Sequence, residues 1–554
     1  MSGDQRTPSR PRLIRRTLGL TGTALAVLFA CLALTPSLLP RPWPLQGVAC
    51  GLTAATGYAL GATLGAVVRV FWQRPPPVPA RIAWRVLAVV GPASLAVFLW
   101  LGARWQQTLR QRLDMDPVGV HHVLGTVVVG LATFGVLLLL ARVLRLFTRF
   151  LTQLLGRWIP RPIAVTAGCL VVAYASVGIV QNFLVDGTFN VISQAASLTN
   201  GETAPGVNRP LSGLRSGGTN SFVAWDALGK QGRSFIGNAP TRQEITAFTG
   251  APAVDPIRVY VGLDSAETAH ERAQLALREL DRTKAFTRAV LGVVIATGTG
   301  WVDENVTDAL EYMHGGNTAL VSMQYSYLPS WLSFVVDQEK VQQTTRELVT
   351  AVHDRWAAMP EQTRPKLVVF GESLGAYGIE SAYGSLDALA AGTDGALLVG
   401  PPFANPIWGN LVRHRDPGTP VWDPVYRDGS VVRFADEAEE LRTPIAPVGP
   451  KVVYLQNSSD PVVWFSPELL IRPPAWLKGP RGPDVPERMR WYPGITFWQT
   501  LLDLAFANEV PPGHGHLYGS GVVDGWAALV PPTGWTTEDT ARLRTLLDAI
   551  VRPE

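Results

Sequence analysis

The chain has 554 residues, of which 47% are hydrophobic and only 17% charged, so it exceeds one ordinary domain and is unusually apolar for a soluble enzyme. Its formal net charge of +4 is unevenly divided: residues 1–185 hold 18 Arg, no Lys and three acidic residues, which gives +15 and leaves −11 for residues 186–554. Because the positive charge belongs to an apolar half and the remainder is acidic, binding of DNA or RNA is excluded as the function.

The first 185 residues contain five apolar stretches of about 20 residues each. None has Asp, Glu or Lys at its centre, and an α-helix of this length crosses a hydrocarbon core of about 30 Å. We therefore predict an α-helical membrane bundle of five spans, in a multi-pass protein of the plasma membrane. The stretches are Thr17–Thr35, Leu45–Val68, Ile82–Leu101, Val120–Ala141 and Ile163–Phe183.

The arginines beside these stretches predict the orientation of the bundle. The N-terminus and the second and fourth connections hold 14 of them, whereas the first and third connections hold four. Since positively charged flanks stay in the cytoplasm, we expect the N-terminus there. Five crossings would then place the C-terminal half outside the cytoplasm.

Three glycines, Gly57, Gly61 and Gly65, recur at four-residue spacing in the second stretch. Small residues at this spacing allow two helices to pack closely. We prefer that interpretation to the alternative, a substrate-lined path through the bundle.

The C-terminal half alternates short apolar runs with helical patterns. Residues 186–250 are rich in Gly, Asn, Ser and Thr without clear periodicity, which predicts a linker and an irregular segment. Residues 251–554 are expected to form a mainly parallel sheet covered by helices, as this alternation indicates. The predicted strands are Ile257–Val261, Val290–Thr297, Thr318–Gln324, Lys366–Phe370, Ala396–Val399 and Lys451–Gln456.

A serine nucleophile is predicted at Ser373. The run Lys366–Phe370 ends in Gly371-Glu-Ser-Leu-Gly375, so that a Gly-x-Ser-x-Gly sequence joins a strand to a helix. Such a turn holds the serine in a strained conformation, and side chains at the two glycines would collide with neighbouring elements. A coincidental tight turn is the alternative. A cysteine nucleophile is excluded because all three cysteines lie in the N-terminal half.

The acid and base that a serine requires are expected downstream, in the order serine, acid, histidine. Asp460 follows the strand Lys451–Gln456 through a loop of small residues, and the alternative role for it is a helix cap. The later histidines are His514 and His516, in a loop of Gly and Pro. The sequence does not decide between them; we favour His516 slightly, and Asp436 is the substitute acid if Asp460 points away.

The oxyanion of an acyl-transfer reaction needs two N–H donors. Leu374, directly after the serine, supplies the first candidate. Thr299 or Gly300, in the glycine-rich turn after Val290–Thr297, supplies the second. This turn lacks the Gly-Lys-Ser/Thr of a phosphate-binding loop, and His514 and His516 have no further ligands at metal-site spacing. We therefore expect neither a metal nor a cofactor.

Tryptophan is abundant in the C-terminal half, with 12 of the 18 residues. Several lie beside prolines in predicted loops. Two interpretations stay open: an apolar substrate trough or surface that leans on a bilayer, and ordinary core packing. The residues concerned include Trp331, Trp408, Trp464, Trp476, Trp491 and Trp498.

Several longer segments resemble a family of actinobacterial integral-membrane proteins of the α/β-hydrolase type. The resemblance covers nearly the whole chain and implies an N-terminal membrane region, an α/β-hydrolase fold and a hydrolase activity, without implying a substrate. It agrees with the positions proposed above for serine, acid and histidine. The segments are Thr35-Pro-Ser-Leu-Leu-Pro-Arg41, Thr297-Gly-Thr-Gly-Trp-Val-Asp303, Gln324-Tyr-Ser-Tyr-Leu-Pro-Ser-Trp331, Gly371-Glu-Ser-Leu-Gly375 and Gly513-His-Gly-His516.

The function predicted from these features is that of a serine hydrolase acting outside the cytoplasm on an ester, either a small hydrophobic ester or an envelope lipid, with membrane lipids as its surroundings. Acyl transfer is an alternative outcome of the same chemistry. Two other classes compete with it: a membrane carrier or flippase whose hydrolase-like domain binds without turnover, and a scaffold with a degenerate enzyme domain. The complete set of Ser, Asp and His argues against degeneracy, and the sequence leaves the oligomeric state open.

Overall fold

The computed structural model describes residues 18–71, 79–119, 121–179, 197–443 and 449–550. Its N-terminal half consists of helices with outward-facing apolar side chains, among them Leu64, Val89 and Leu131. Such a surface is compatible with a membrane environment. The helices are α1 (Leu20–Ala33), α2 (Trp43–Phe71), α3 (Ala80–Arg112), α4 (His121–Leu155) and α5 (Arg161–Ile179).

Three of these helices, α2, α3 and α4, are long and apolar enough to cross a membrane. The prediction of five spans is therefore wrong for the described residues. The first stretch gives a helix of only 14 residues, about 21 Å at 1.5 Å per residue, because the apolar residues at its ends lie outside the helix. The last gives a short apolar helix, Pro162–Ser176, and its end, residues 180–183, lies outside the described residues.

Helices α1 and α2 pack against each other through the glycines of α2. A Cβ atom on Gly57 would collide with the carbonyl oxygen of Leu25, and one on Gly61 with that of Thr21. The hydroxyl of Thr21 donates to the carbonyl oxygen of Gly61 at 2.9 Å. The glycines thus serve close helix packing, as we preferred, because no side chain would fit between the two backbones.

The C-terminal half contains a sheet of seven strands in the order β1-β3-β2-β4-β5-β7-β6. All six neighbouring pairs are parallel, and nearly every strand residue is buried, which agrees with the mainly parallel sheet predicted. The strands are β1 (Ile257–Val261), β2 (Val290–Ile295), β3 (Thr318–Met323), β4 (Lys366–Glu372), β5 (Gly395–Val399), β6 (Val432–Ala435) and β7 (Val452–Leu455).

Helices cover both faces of this sheet, as parallel connections require. The helices of this half are α6 (Gly229–Gly237), α7 (Arg242–Thr249), α8 (Ala269–Arg282), α9 (Glu304–Met313), α10 (Ser330–Val336), α11 (Gln338–Ala357), α12 (Leu374–Tyr383), α13 (Leu386–Gly392), α14 (Pro406–Arg413), α15 (Pro461–Trp464), α16 (Ile495–Asp503), α17 (Val522–Leu529) and α18 (Thr537–Ala549).

The segment before β1 is packed against the edge of the sheet. Ser216 donates its N–H to the carbonyl oxygen of Arg258 in β1 at 3.1 Å, and Phe235 and Ile236 are buried in the core. The segment predicted as irregular therefore carries short helices and extends the hydrophobic core past β1.

The connection between α1 and α2 lies inside the C-terminal half. Leu38 and Leu39 are fully buried in its hydrophobic core. Arg41 forms an ion pair with Asp503 of α16, with Nε and Oδ1 2.7 Å apart and both side chains fully buried. The amide of Gln499 donates to the carbonyl oxygens of Ala33 and Thr35. Because of these contacts, the α1–α2 connection and the sheet lie on the same side of the helices.

Candidate active site

Ser373 occupies a strained turn between β4 and α12. Its φ is 53° and its ψ is −119°, a conformation that a residue with a side chain rarely adopts. Its N–H donates to the carbonyl oxygen of Val399 at the end of β5 at 2.8 Å. A Cβ atom on Gly371 would collide with the backbone of Gly375, and one on Gly375 would lie 2.6 Å from the carbonyl oxygen of Ile295. The two glycines are therefore required by the turn itself.

Asp460 and His516 form a buried hydrogen-bonded pair. Asp460 follows β7 at the N-terminus of α15, and its Oδ2 lies 2.7 Å from Nδ1 of His516. The hydroxyl of Tyr518 donates to the same oxygen at 2.7 Å, and the N–H of Val462 donates to Oδ1 at 2.7 Å. Asp460 is fully buried, so these bonds fix the carboxylate, which in turn fixes the imidazole ring.

Tyr518 was not among the residues predicted from the sequence. Burial and the neighbouring Asp460 raise the pKa of its hydroxyl well above the ordinary value, so it stays protonated and donates to the carboxylate. The only signal in the sequence is its position two residues after His516 in the same loop.

The His516 ring lies over the end of β5, beside the turn that carries Ser373. Gly400, with a φ of 54°, makes room for it, since a Cβ atom there would lie 2.5 Å from Cε1 of His516. The backbone N–H of Ser373 donates to Val399, the residue before Gly400, so the serine turn and the imidazole both lie at the end of β5. The described residues contain no hydrogen bond between Ser373 and His516, a contact that in apo enzymes often tightens only with substrate.

His514 belongs to a separate pair. Its Nδ1 lies 2.7 Å from Oδ2 of Asp484, and this hydrogen bond raises the pKa of the histidine. The hydroxyl of Ser459 donates to the same carboxylate oxygen at 2.7 Å and accepts the N–H of Gly515 at 3.0 Å. The structure thus brings His516, and not His514, to Asp460, and the second pair holds the backbone of the loop between them.

Asp436 lies apart from both histidine bonds. Its carboxylate accepts the N–H of Ser458, and burial raises its pKa to about 8. No hydrogen bond connects it to His514 or His516 among the described residues.

Two of the expected oxyanion donors have free N–H groups and one does not. The N–H of Leu374, at the start of α12, has no acceptor among the described residues, nor does that of Thr299. The N–H of Gly300 donates to the carbonyl oxygen of Thr297 at 3.1 Å within its own turn. Gly300 is therefore unsuited to donate to an oxyanion, because its N–H is already hydrogen-bonded within the turn.

Glu372, the residue between Gly371 and Ser373, is a buried carboxyl group that the sequence did not single out. Its Oε2 has no hydrogen-bond partner among the described residues. Burial raises its pKa well above the ordinary value, and the nearby Asp303 and Asp460 raise it further. Burial therefore disfavours the charged form of this group beside the serine.

A row of aromatic rings leads away from the site. Phe334 packs against the cluster that contains Leu374, and the rings of Phe334, Phe403, Phe465 and Phe497 follow each other with centroids 5.9, 5.8 and 5.6 Å apart. Phe497 lies on α16, which packs against α1 and α2. The row thus connects the serine turn with the N-terminal helices.

Three of the tryptophans named from the sequence serve the core. Trp408, Trp464 and Trp476 are buried, and each indole N–H donates to a hydrogen-bond acceptor. For these three residues the core-packing interpretation is therefore the one that the structure supports, since a substrate trough would leave the rings open.

Among the residues that the structure describes, no group of three or more His, Cys, Asp or Glu side chains is arranged to hold an ion.

Comparison with known proteins agrees with this architecture. Residues 257–543 match the alpha/beta-hydrolase family, and residues 34–240 match the alpha/beta-hydrolase family N-terminus. No curated protein and no solved structure gives a significant match. Since the first match alone covers more than half of the chain and contains the whole seven-stranded sheet, the chain belongs to the alpha/beta-hydrolase family.

Proposed function

We propose that the chain is a serine hydrolase that cleaves ester bonds, with Ser373 as nucleophile, His516 as general base and Asp460 as the acid that orients the base. The observation that carries the proposal is the backbone of Ser373, whose φ of 53° belongs to a turn that presents a nucleophile at the end of a strand. A serine with only a structural role has no need of a buried Asp–His pair at the ends of β5 and β7, the next two strands of the sheet after β4.

The reaction starts when Oγ of Ser373 attacks the carbonyl carbon of the ester and its proton passes to Nε2 of His516. Asp460 stabilises the imidazolium ion, and the N–H groups of Leu374 and Thr299 donate to the oxyanion. The C–O bond to the alcohol then breaks, and the alcohol takes the proton from His516, which leaves an acyl-serine. Water repeats the sequence and releases the acid, whereas an acceptor hydroxyl in place of water gives acyl transfer.

The substrate is a hydrophobic ester, and envelope or membrane lipids are the class that fits best. The aromatic row from Phe334 to Phe497 supports this, because it offers an apolar wall between Ser373 and the helices of the N-terminal half. A water-soluble ester would need no such wall.

The catalytic half lies on the extracytoplasmic side of the membrane. The α1–α2 connection, held by Arg41, is on the side of the sheet, whereas the N-terminus and the second and fourth connections between the apolar stretches of the sequence hold 14 of the 18 arginines. The positive-inside rule assigns those arginine-rich connections to the cytoplasm.

The test is a comparison of four full-length variants on a short-chain aryl ester. Ser373→Ala and His516→Ala should each lower kcat/KM by about 10⁴-fold or more, as loss of a triad member does. Asp460→Asn should cost less than Ser373→Ala because Asp460 only orients the base. His514→Ala is the matched control, and it should cost at most about tenfold, or about 1.4 kcal/mol of barrier.

Two outcomes would contradict the proposal. Hydrolysis at the wild-type rate by well-folded Ser373→Ala would favour the alternative of a carrier or scaffold whose domain binds without turnover. A loss in His514→Ala as large as that in Ser373→Ala, with His516→Ala active, would move the base to His514.

A further inference from the structure

A cleft of about 530 Å³ lies between the end of α3 and the segment 479–490, apart from the catalytic residues. Three arginines line it: Arg112, the last residue of α3, together with Arg481 and Arg490. Glu487 is the one acidic side chain in its wall, so the lining carries a formal charge of +2. The cleft is open to solvent and its lining is mainly polar.

The three guanidinium groups have no carboxylate within 4 Å among the described residues. Arg481 donates to the carbonyl oxygen of Pro486 at 2.6 Å, and Arg490 donates to that of Glu487 at 2.7 Å. Burial and the charge of Arg490 lower the pKa of Arg481 below its ordinary value. The positive charges therefore repel each other, and a bound anion would relieve that repulsion.

The cleft lies on the same side of the membrane helices as the C-terminal half, whose segment 479–490 forms one of its walls. Arg112 ends one of the three helices that are long enough to cross a membrane and follows its apolar stretch, Ile82–Leu101, so its side chain lies beyond the hydrocarbon core, where phosphate groups of lipids can be reached.

The cleft also shares its wall with the loop that carries the catalytic residues. Gly482 is so close to Ser458 that any Cβ atom on it would collide with that side chain. Asp484, two residues further, bonds to His514 and accepts the hydroxyl of Ser459, the neighbour of Asp460. A ligand in the cleft is therefore held next to the end of β7.

We propose that this cleft binds the phosphate group of an anionic membrane lipid. Arginine forks match phosphate oxygens in a bidentate manner, and three of them converge on one open volume. The inference rests on the proposed function in one respect: it makes the ester substrate an anionic lipid, whose headgroup is held by Arg112, Arg481 and Arg490 while the ester reaches Ser373.

Binding is tested first, in the full chain with Ser373→Ala so that no lipid is consumed. In nanodiscs or neutral detergent, this protein should bind phosphatidylglycerol at least tenfold more tightly than phosphatidylcholine with the same acyl chains. Arg490→Ala, and the double variant Arg112→Ala with Arg490→Ala, should lose that difference; both residues are exposed, so their removal leaves the fold intact. Arg488→Ala is the matched control, because Arg488 is equally exposed in the same segment but does not line the cleft.

Soluble anions distinguish the source of the phosphate. Inorganic phosphate and glycerol phosphate should compete weakly with phosphatidylglycerol in the parent protein and not at all in Arg490→Ala. Glycerol phosphate that binds as tightly as the lipid would overturn the lipid assignment in favour of a soluble ligand. Equal binding of both lipids by the parent protein, or an equal loss in Arg488→Ala and Arg490→Ala, would overturn the site.

Hydrolysis is measured separately, with Ser373 restored and vesicles of either lipid as substrate. The ratio of kcat/KM for phosphatidylglycerol to that for phosphatidylcholine should fall about tenfold in Arg490→Ala and stay constant in Arg488→Ala. Binding that keeps its preference while no ester is cleaved would refute the hydrolase and retain the site. Cleavage without any preference between the lipids would refute the site and retain the hydrolase.

Discussion

Removal of one partner from the ion pair between Arg41 and Asp503 should destabilise both halves of the chain at once. The two residues are 462 positions apart, fully buried, and joined at 2.7 Å. Gln46 of α2 accepts a second hydrogen bond from Arg41 at 2.9 Å. Burial raises the pKa of Asp503 above its ordinary value, and the neighbouring Arg41 opposes that shift without cancelling it.

The size of the effect follows from that burial. Arg41→Met or Asp503→Leu alone leaves one buried charge without its partner, which costs about 3–5 kcal/mol. For a cooperative unit of about 150–250 residues, 1 kcal/mol shifts the melting temperature by about 2–4 °C, so each single variant should melt about 6–20 °C lower, with smaller shifts for a larger unit. The double variant removes both charges and should melt close to the wild type.

The assay is thermal unfolding of the full chain in detergent, followed by tryptophan fluorescence, since the 18 tryptophans are shared by both halves. We expect one transition that moves as a whole in the single variants. Single variants within about 1 kcal/mol of the wild type, or a double variant that loses the sum of both, would refute the reasoning, because independent effects add. Two transitions of which only one moves would show that the halves unfold separately.

Three further changes test the site. Burial raises the pKa of Glu372, so the unfolded chain ionises this group more readily than the folded one, and stability falls as the pH rises above the unfolded pKa. Glu372→Gln should therefore melt higher than the wild type at about pH 8 and equally below about pH 4. A higher melting temperature that persists in acid would contradict this. Gly400→Ala places a Cβ atom against the ring of His516 and should lower kcat about 100-fold or more with little change in the circular dichroism; wild-type kcat would show that the ring is free to move. Tyr518→Phe removes one donor to Asp460 and should lower kcat about tenfold, measured on the aryl ester, while an unchanged kcat would assign Tyr518 to packing alone.

The parallel sheet and the turn at Ser373 could be predicted because their signals are local. A buried run of apolar residues specifies β4, and the sterics of Gly371 and Gly375 specify the turn, so a few consecutive residues contain the information. The ends of the strands are less well specified by the sequence. The sequence predicts a strand from Val290 to Thr297, whereas β2 ends at Ile295 because Thr297 already bonds across the following turn to Trp301.

What could not be predicted depends on contacts between distant segments. The edge strand β6 has only four residues and includes Arg433, so its pattern is too short to recognise. The burial of Leu38 and Leu39 in the core of the other half has no periodic signal in a chain of this hydropathy. The sequence predicts too many spans because its apolar stretches extend beyond the ends of α1 and α5, where no helix is described.

The choice between His514 and His516 shows the same limit. Both lie in one loop, two residues apart, and only the three-dimensional structure gives each its own carboxylate: Asp484 for His514 and Asp460 for His516. Gly300 was a reasonable oxyanion donor from its position, but the hydrogen bond of its own turn occupies its N–H, which sequence spacing does not reveal.

The most direct test of the central claim, that Ser373 is a catalytic nucleophile, is covalent labelling of the full-length protein with a fluorophosphonate probe followed by mass spectrometry of the labelled peptide. The probe phosphorus takes the place of the ester carbonyl carbon, so only a serine activated by its base reacts. We predict one adduct, on Ser373, which disappears in Ser373→Ala, falls steeply in His516→Ala and persists in His514→Ala. An unlabelled wild-type protein, or an adduct of equal yield in folded Ser373→Ala, would contradict the assignment of Ser373 as nucleophile.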